Sequence, residues 1–299
     1  MVTLLVPRLA QSAPVGGQSE ARRIGSQKQL FIDDLLIESK SNVTLAVNPP
    51  VKTGERNIVA EHPWEDLALG YVNILEVGGT YRMWYGCDSF GKGARQEAEA
   101  EQENKRVVNL GYATSSDGIR WEKPVLGLVE FRGSRENNLV MTNMFGTVFL
   151  DPRTADGNRF KFAGCSRPNR GLEILTSPDG VRWLPFGDKP VLSEGHYDTQ
   201  NQVFWDESRG KYVSYVRRWE GFDAARSPLC CRQVGRSETD DLSRWPEPEV
   251  VYRHDELDPI ESDPYNASAV KYPGVPDVYL MFPSAYFHLP GEKNVGPLD

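Results

Sequence analysis

Three turns with nearly the same sequence recur at a fixed spacing, and they constrain the fold more than any other feature. They read TSSDGIRW (114–121), TSPDGVRW (176–183) and ETDDLSRW (238–245), and Trp121, Trp183 and Trp245 follow one another at intervals of 62 residues. Self-similarity at a fixed period is the sequence signature of repeated supersecondary units. This period is longer than that of helical solenoids and suits a four-stranded propeller blade with long loops.

The segments before each turn also begin alike. Each has a short apolar strand, a polar turn with Gly, Pro or Asp, and a second strand that starts on Tyr or Phe, which is a hairpin signal. Four segments share this pattern: 70–86, 146–164, 201–218 and 267–284. In the first three, a third strand, the Asp turn and a fourth strand follow. We therefore predict an all-β propeller over 28–299, with blades at about 60–125, 140–190 and 197–250 and a partial blade at 259–299.

The remaining segments carry separate expectations. Residues 29–38, QLFIDDLLIE, predict a strand that completes the last blade, and residues 92–106 predict a solvated insertion or, alternatively, a flap over the site. Residues 1–27 predict a disordered or signal-derived tail. Within it, LLVPRLAQSA resembles the end of a secretory signal, so we expect a secreted or periplasmic protein, with a plain tail on a cytoplasmic protein as the alternative. A fourth turn tryptophan is due beyond Asp299, which predicts a longer native chain.

Composition excludes several classes of function. The net charge of −8 argues against a nucleic-acid partner, because that recognition needs a basic surface. No run of about 18 apolar residues occurs, so no membrane span is expected. Four cysteines are too few for a disulfide scaffold, and four scattered histidines predict no metal site. Walker, Rossmann and G-x-S-x-G motifs are absent, so no cofactor is expected.

The recurring turn itself has a structural explanation. Its aspartate (Asp117, Asp179 and Asp241) can accept hydrogen bonds from the backbone that follows, and glycine supplies a positive φ in the first two copies. Leu242 replaces that glycine in the third copy, so the third turn must adopt another conformation. The tryptophan is expected to pack between neighbouring sheets. We assign these turns to folding and not to chemistry.

The residues just before each first strand are the candidates for chemistry, because the first strands of propeller blades line the central axis. Blade one offers Asp66, blade three Asp198 and blade four Asp263, the last two in matching D-x-x-N segments. Glycoside hydrolysis needs one carboxylic acid and one ionised carboxylate, and crowded carboxylates separate into these two roles. Nearby aromatic and polar side chains are predicted to bind sugar: Trp64, Glu65, Asn143, His196, Tyr197, Asn201, Arg217, Tyr265 and Asn266.

Several motifs together resemble a known family. LFIDDLLIE, HPWED before YRMWYG, and YNASAVKYPG with LMFPSAYFH look like the invertase/arabinanase-like glycoside hydrolases, in particular an uncharacterised bacterial branch similar to the N-terminal domain of family 32 glycosidases. The resemblance covers roughly residues 28–299. It implies a five-bladed propeller in the complete protein and carboxylates on blades one to three. Asp66 and Asp198 match two of these by position, whereas Asp151, in blade two, looks like part of a turn.

The resemblance also implies roles. Asp198 is predicted to be the general acid, shielded from water by Tyr197, and Asp66 the base or nucleophile. Asp263, whose D-x-x-N segment copies that of Asp198, would orient the substrate or tune the acid, and the likeness of the two segments leaves open an exchange of the acid role between Asp198 and Asp263. Three alternatives stay open: a non-catalytic carbohydrate-binding propeller, a sialidase-like enzyme that would need an arginine cluster, and a phosphorylase that would need basic phosphate ligands near the acids.

Overall fold

The computed structural model describes residues 24–287 except for 27, 33, 35, 47, 91–105, 155–156, 167–170, 220–231, 256, 260–261 and 277, and it does not describe the side chains of Phe90, Arg106 and Phe145. The predicted tail (1–23), most of the predicted insertion (92–105) and the cysteine pair at 230–231 therefore lie outside the described residues. Among those described, no helix is long and apolar enough to cross a membrane.

The described chain is almost entirely β-structure, arranged as three four-stranded antiparallel sheets. The first contains β1 (Ala68–Val77), β2 (Thr80–Phe90), β3 (Arg106–Ser115) and β4 (Leu139–Thr142). The second contains β5 (Met144–Leu150), β6 (Phe160–Ser166), β7 (Glu173–Ser177) and β8 (Leu184–Pro185). The third contains β9 (Gln202–Asp206), β10 (Lys211–Trp219), β11 (Arg232–Thr239) and β12 (Glu249–Tyr252).

Each sheet is a meander whose strands pair in chain order. The first strands of neighbouring sheets lie together, β1 against β5 and β5 against β9. Four-stranded sheets that meet along their first strands are the blades of a β-propeller. The prediction of an all-β propeller is confirmed.

After the third sheet, the described chain forms two short antiparallel strand pairs, of which only the second is a hairpin. β13 (Ser262–Asn266) pairs with β16 (Ser284–Phe287) and lies against β10 and β11, and β14 (Ala269–Lys271) pairs with β15 (Tyr279–Met281). The expected hairpin at 267–284 is present. Asp263, however, lies within β13 and does not precede a first strand. By its contacts, the described chain divides into one compact unit of residues up to 55 with 270–282, and another of 56–269 with 283 onward.

Two strand predictions differ from the structure. The strand expected at 29–38 is absent from the described part of that segment, which has turns and bends and belongs to no β-ladder. The fourth strand of blade one does not follow Trp121 directly, because only Glu122 pairs back with Thr114 before the chain leaves the sheet. The chain returns at β4, so the first blade extends to residue 142.

The recurring turn is built by the same hydrogen bonds in its first two copies. In blade two, Ser177 Oγ accepts from the backbone N–H of Gly180 at 2.9 Å, and Asp179 Oδ1 accepts from Val181 and Arg182 at 2.9 and 2.8 Å. Gly118 and Gly180 have φ of 76° and 80°. Leu242 is absent from the described residues with positive φ, so the third turn does adopt another conformation.

The second and third turns are also held by the blade before them. Trp84 Nε1 donates to the carbonyl of Gly180 at 2.7 Å, and Arg82 donates to the carbonyl of Asp179 at 2.9 Å. Arg153 of blade two donates in the same way to the carbonyl of Asp240 at 2.7 Å. Trp183 and Trp245 pack into the apolar cores between consecutive blades, as predicted. The second and third copies of the turn therefore join each blade to the one before it.

Candidate active site

One face of the third sheet carries a cluster of charged and aromatic side chains. Arg217 and Trp219 lie two residues apart on β10 and so point to the same face, and Arg232 on β11 is the direct partner of Trp219. β13 lies against these strands and brings Asp263 and Tyr265 to them. We call the following residues the blade-three cluster: Asp198, Arg217, Trp219, Arg232, Asp263, Tyr265 and Tyr286.

Asp198 and Arg217 form the first ion pair of the cluster. Arg217 Nη2 donates to Asp198 Oδ1, and Arg217 Nε donates to the backbone carbonyl of His196 at 3.0 Å. The Arg217 side chain is only 4% exposed, whereas that of Asp198 is 50% exposed. The carboxylate therefore lies at the surface of the cluster and the guanidinium inside it.

The segment that carries Asp198 is held by Asn201. Its Nδ2 donates to the carbonyls of Tyr197 and Thr199 at 2.7 and 3.1 Å, and its Oδ1 accepts from the backbone N–H of Arg217 at 3.3 Å. The Asn201 side chain is thus committed to the backbone rather than to a ligand. This arrangement fixes the loop before β9 and, with it, the position of Asp198.

Asp263 and Arg232 form the second ion pair. Arg232 Nη1 lies 3.2 Å from both oxygens of Asp263, and the backbone N–H of Arg232 donates to Oδ2 at 3.4 Å. The side chain of Asp263 is 2% exposed and that of Arg232 is 14% exposed. Buried charges persist in proteins when they are paired and hydrogen-bonded, as both are here.

Aromatic rings surround both guanidinium groups. The Arg232 guanidinium carbon lies 4.2 Å from the ring centroid of Tyr286 and 4.9 Å from that of Trp219. The Arg217 guanidinium carbon lies 5.6 Å from the Trp219 ring, and both arginines lie within 6 Å of the Tyr265 ring, at 5.9 and 5.8 Å. Because the two arginines share these rings, the two ion pairs stand side by side. Cations over aromatic faces are attracted by the ring quadrupole.

A bulge in β1 connects blade one to the cluster. The pairing of β1 with β2 shifts register between Gly70 and Asn73, and Tyr71 in this bulge has a φ of 50°. Tyr71 Oη lies 2.8 Å from Tyr265 Oη. Burial and, next, the neighbouring Tyr265 raise the pKa of Tyr71 far above its usual value, so its hydroxyl stays protonated. Bulges and positive φ at non-glycine residues concentrate near functional sites.

The bulge also reaches the loop of Asp198. Gln200 Nε2, two residues after Asp198, donates to the carbonyl of Val72 at 3.1 Å. One distorted stretch of β1 therefore contacts both aspartate-bearing segments, one through Tyr265 and the other through Gln200.

Glu65 and Trp64, which were predicted to bind sugar, make their hydrogen bonds within blade one. Glu65 is buried and accepts from Tyr85 Oη at 2.6 Å and from Lys123 Nζ at 2.9 Å. Burial acts to raise the pKa of Glu65, but these bonds and a backbone N–H of Glu61 outweigh it, and the pKa is lowered. Trp64 Nε1 donates to Asn138 Oδ1 at 2.8 Å, so both predicted sugar-binding residues are engaged in the packing of blade one.

Asp66 ends the short 3₁₀ helix Pro63–Glu65 that leads into β1. Its Oδ2 lies 3.9 Å from Arg132, and its side chain is largely buried. These contacts belong to blade one, and the relation of Asp66 to Asp198 and Asp263 rests on the propeller architecture alone.

Three other predicted sugar-binding residues, Tyr197, Asn266 and Asn143, lie in different surroundings. Tyr197 is fully buried in the core between blades two and three, and its hydroxyl donates to the carbonyl of Glu194 at 2.9 Å. The Tyr197 side chain is thus part of this core, and the shielding of Asp198 from water stays a prediction. Asn266 accepts from Ser268 and Ser284, both at 3.0 Å. The exposed Asn143 lies between β4 and β5 with a φ of 60°.

His196 lies at the edge of the blade-three cluster, since its ring centroid is 5.6 Å from that of Trp219. Blade two contributes no acid through Asp151, which is buried at the far end of β5. Asp151 accepts from the backbone N–H of Arg153 and from Tyr212 Oη, each at 3.0 Å, as expected of a turn residue.

Four residues of the arrangement were missed at the level of sequence: Tyr71, Trp219, Arg232 and Tyr286. Trp219 carried a usable signal, because a residue two positions after Arg217 on a strand faces the same side. Arg232 and Tyr286 carried none, since they follow no motif and reach the site through strand pairing.

The fold and this cluster define a β-propeller with two carboxylate–arginine pairs and stacked aromatic rings where blades three and four meet. No protein-family model matches the chain. The chain is similar to an uncharacterised protein of Mycobacterium tuberculosis, with 28% identity over 131 residues, which cover 44% of this chain and 38% of the relative. It is also similar to a β-1,2-mannobiose phosphorylase of a Thermoanaerobacter species, with 26% identity over 175 residues, 54% of this chain and 50% of the relative. The chain thus spans half or less of these curated relatives.

Among solved structures, the chain resembles an exo-1,5-α-L-arabinanase from a bovine ruminal metagenomic library. The TM-score is 0.46 with 14% identity, covering 78% of this chain and 76% of the arabinanase.

Proposed function

We propose that the chain is the glycosidic-bond-cleaving propeller of a carbohydrate-active enzyme, and that it hydrolyses a poly- or oligosaccharide. The observation that carries the proposal is the blade-three cluster, in which two aspartates, each paired with an arginine, stand beside three aromatic rings. Glycoside hydrolysis needs carboxylates held in place around the scissile bond. The names of one curated relative and of the arabinanase neighbour agree with glycoside chemistry.

Each of the three carboxylates has a proposed role. Asp198 is the general acid, because its half-exposed side chain can reach a bound glycosidic oxygen. Asp66 supplies the second carboxylate, as base or nucleophile. Asp263 is a positioning residue, since its buried carboxylate is fully engaged by Arg232 and holds that guanidinium against Trp219 and Tyr286.

Water is the co-substrate of the proposed reaction. Asp198 gives its proton to the leaving-group oxygen as the glycosidic bond breaks. The anomeric carbon then receives an oxygen, either from water activated by Asp66 or from Asp66 itself, whose ester water later hydrolyses. The separation of the two carboxylates decides between these courses.

A glycan panel tests the proposal with the wild-type protein and the Asp198→Asn and Asp263→Asn variants. Asp240→Asn is the matched control, because Asp240 lies in an exposed blade turn. We expect turnover by the wild type and the control, and a loss of turnover by orders of magnitude in Asp198→Asn with the fold retained. Sugar binding without turnover in every form would instead support the carbohydrate-binding alternative.

Leaving-group dependence tests the role of Asp198. Loss of a general acid slows poor leaving groups far more than activated aryl glycosides, because activated leaving groups need no proton. If Asp198→Asn slows both substrate types equally while Asp263→Asn slows mainly the poor leaving groups, the two roles are reversed.

A further inference from the structure

The Arg217 guanidinium is buried but only partly used. Its Nε and Nη2 donate to His196 and Asp198, which occupy two of the five N–H groups that a guanidinium carries. Within the described part of the chain, no hydrogen bond engages Nη1 of this arginine, although its side chain is only 4% exposed. Arg217 Nη1 does not belong to the fully buried atoms that lack a partner, so it keeps some exposure within the cluster. Nη1 is therefore open to an additional acceptor from outside the chain.

The second arginine stands next to it. Arg217 and Arg232 share two aromatic neighbours, since their guanidinium carbons lie 5.6 and 4.9 Å from the Trp219 ring centroid and 5.9 and 5.8 Å from the Tyr265 centroid. Among the described residues, Arg217 pairs with Asp198 and Arg232 pairs with Asp263, and these two carboxylates differ. Asp263 is buried and bound through both oxygens, whereas Asp198 is half exposed and bound through one. The Asp198–Arg217 pair is thus the one that a ligand can displace.

We propose that Arg217, supported by Arg232, forms an oxyanion-binding subsite in which the ligand's anionic group replaces or shares the place of Asp198. Arginine is the side chain best suited to this task, because its planar donors match carboxylate and phosphate oxygens. The ligand is an oxyanion of one of two sources: inorganic phosphate as a co-substrate, or the carboxylate of an acidic sugar in the saccharide. The subsite rests on the proposed glycosidic cleavage: an acidic sugar would define the saccharide that is hydrolysed, whereas phosphate would replace water and turn the hydrolysis into phosphorolysis.

If inorganic phosphate is the ligand, the reaction is phosphorolysis. A phosphate oxygen bonds to the anomeric carbon as the glycosidic bond breaks, and the leaving-group oxygen takes a proton from Asp198. The products are a sugar 1-phosphate and a shortened saccharide. The acidic-sugar source leaves water as the nucleophile and restricts the saccharide to one that bears a uronate.

Titration calorimetry at constant ionic strength tests the subsite without turnover, so its outcome does not depend on the proposed cleavage. The probes are inorganic phosphate, D-glucuronate and neutral D-glucose. Arg218 is the matched control for Arg217, because it is the next residue of β10, faces the other side of the sheet and pairs with Glu247. The variants are Arg217→Gln and Arg218→Gln.

We expect the wild type to bind phosphate or glucuronate, Arg218→Gln to bind within about twofold of it, and Arg217→Gln to bind about tenfold or more weakly, because hydrogen bonds to a charged group are lost. Preference for phosphate assigns the subsite to a co-substrate, and preference for glucuronate assigns it to an acidic saccharide. Failure of the wild type to bind either anion, or equal weakening in both arginine variants, overturns the proposal.

A second variant covers the case in which Arg217→Gln does not fold. Asp198→Asn removes the competing carboxylate and leaves Arg217 in place, so it should bind the same anion several-fold more tightly than the wild type. Unchanged or weaker binding by Asp198→Asn contradicts the proposal, because it means that Asp198 does not compete for Arg217.

Discussion

The tightness of the packing between blades one and two can be tested by the Gly180→Ala substitution, which adds one methyl group. This glycine has a φ of 80°, and a Cβ added there would lie 2.9 Å from Trp84 Cζ2 and 3.2 Å from Phe160. Left-handed backbone costs a non-glycine residue about 1–2 kcal/mol. Overpacking a tight core costs about 1–3 kcal/mol more. Gly180→Ala should therefore destabilise the protein by about 2–5 kcal/mol.

Gly118 provides the matched control in the same turn of blade one. Its φ of 76° imposes the same backbone strain, but its added Cβ would meet only Tyr81, at an ordinary 3.7 Å. Gly118→Ala should cost only the strain, about 1–2 kcal/mol. The assay is urea unfolding of both variants, with coincident fluorescence and circular dichroism transitions as the test of two-state behaviour. Equal destabilisation by the two substitutions would refute the idea that the blade-two turn is packed against Trp84.

Three further outcomes are expected. The pKa of Asp179 is held at about 2 instead of 3.8; burial acts to raise it, but hydrogen bonds from Arg182 and Val181 outweigh burial. Its stabilising contribution is therefore complete above the unfolded pKa and is lost as pH falls from about 4 to about 2, so Asp179→Asn should flatten the acid limb of a stability–pH curve; an unaltered limb would contradict this. Asp263→Ala should destabilise the protein by about 3–5 kcal/mol in urea unfolding, because it removes one partner of a largely buried ion pair; a loss below about 1 kcal/mol would show that water replaces the carboxylate. Lys123→Met should lower the melting temperature and raise the pKa of the buried Glu65, because burial is then opposed by fewer hydrogen bonds, and NMR can follow this titration; an unchanged pKa of Glu65 would mean that the hydrogen bonds from Tyr85 and the backbone suffice.

The sequence predicted the blades well because their signals are local. The Asp turn needs only Ser177, Asp179 and Gly180 within four positions, and these residues hydrogen-bond to each other and to the next two backbone N–H groups. The prediction of a strand at 29–38 was wrong for the described residues, because an apolar, β-prone segment becomes a strand only where a partner strand is available. The sequence also predicted that the fourth strand of blade one follows Trp121 directly, whereas β4 begins only at Leu139. Nothing local distinguishes the residues after Trp121 from a continuing strand.

The candidate site was predicted in part. Asp198 and Asp263 stood out through their matching D-x-x-N segments, and the structure brings both to one face of the third sheet. Their environments differ although their local sequences are alike, because Asp263 lies within a strand and Asp198 in a loop. Tyr197 and Asn201 were expected to bind sugar, but they fill the core and hold the loop, since burial depends on which way each side chain points.

By itself, the sequence determined the period, the turn chemistry and the all-β class, because each of these depends on residues close together in the chain. Only the tertiary structure decided the partners of the charged groups. Arg217 meets Asp198 across 19 positions and Arg232 meets Asp263 across 31, while Tyr71 meets Tyr265 across 194. Such pairings depend on strand register, the bulge in β1 and the packing of β13 on the third sheet, and the physical reason is that charge and hydrogen bonding act over distance in space and not along the chain.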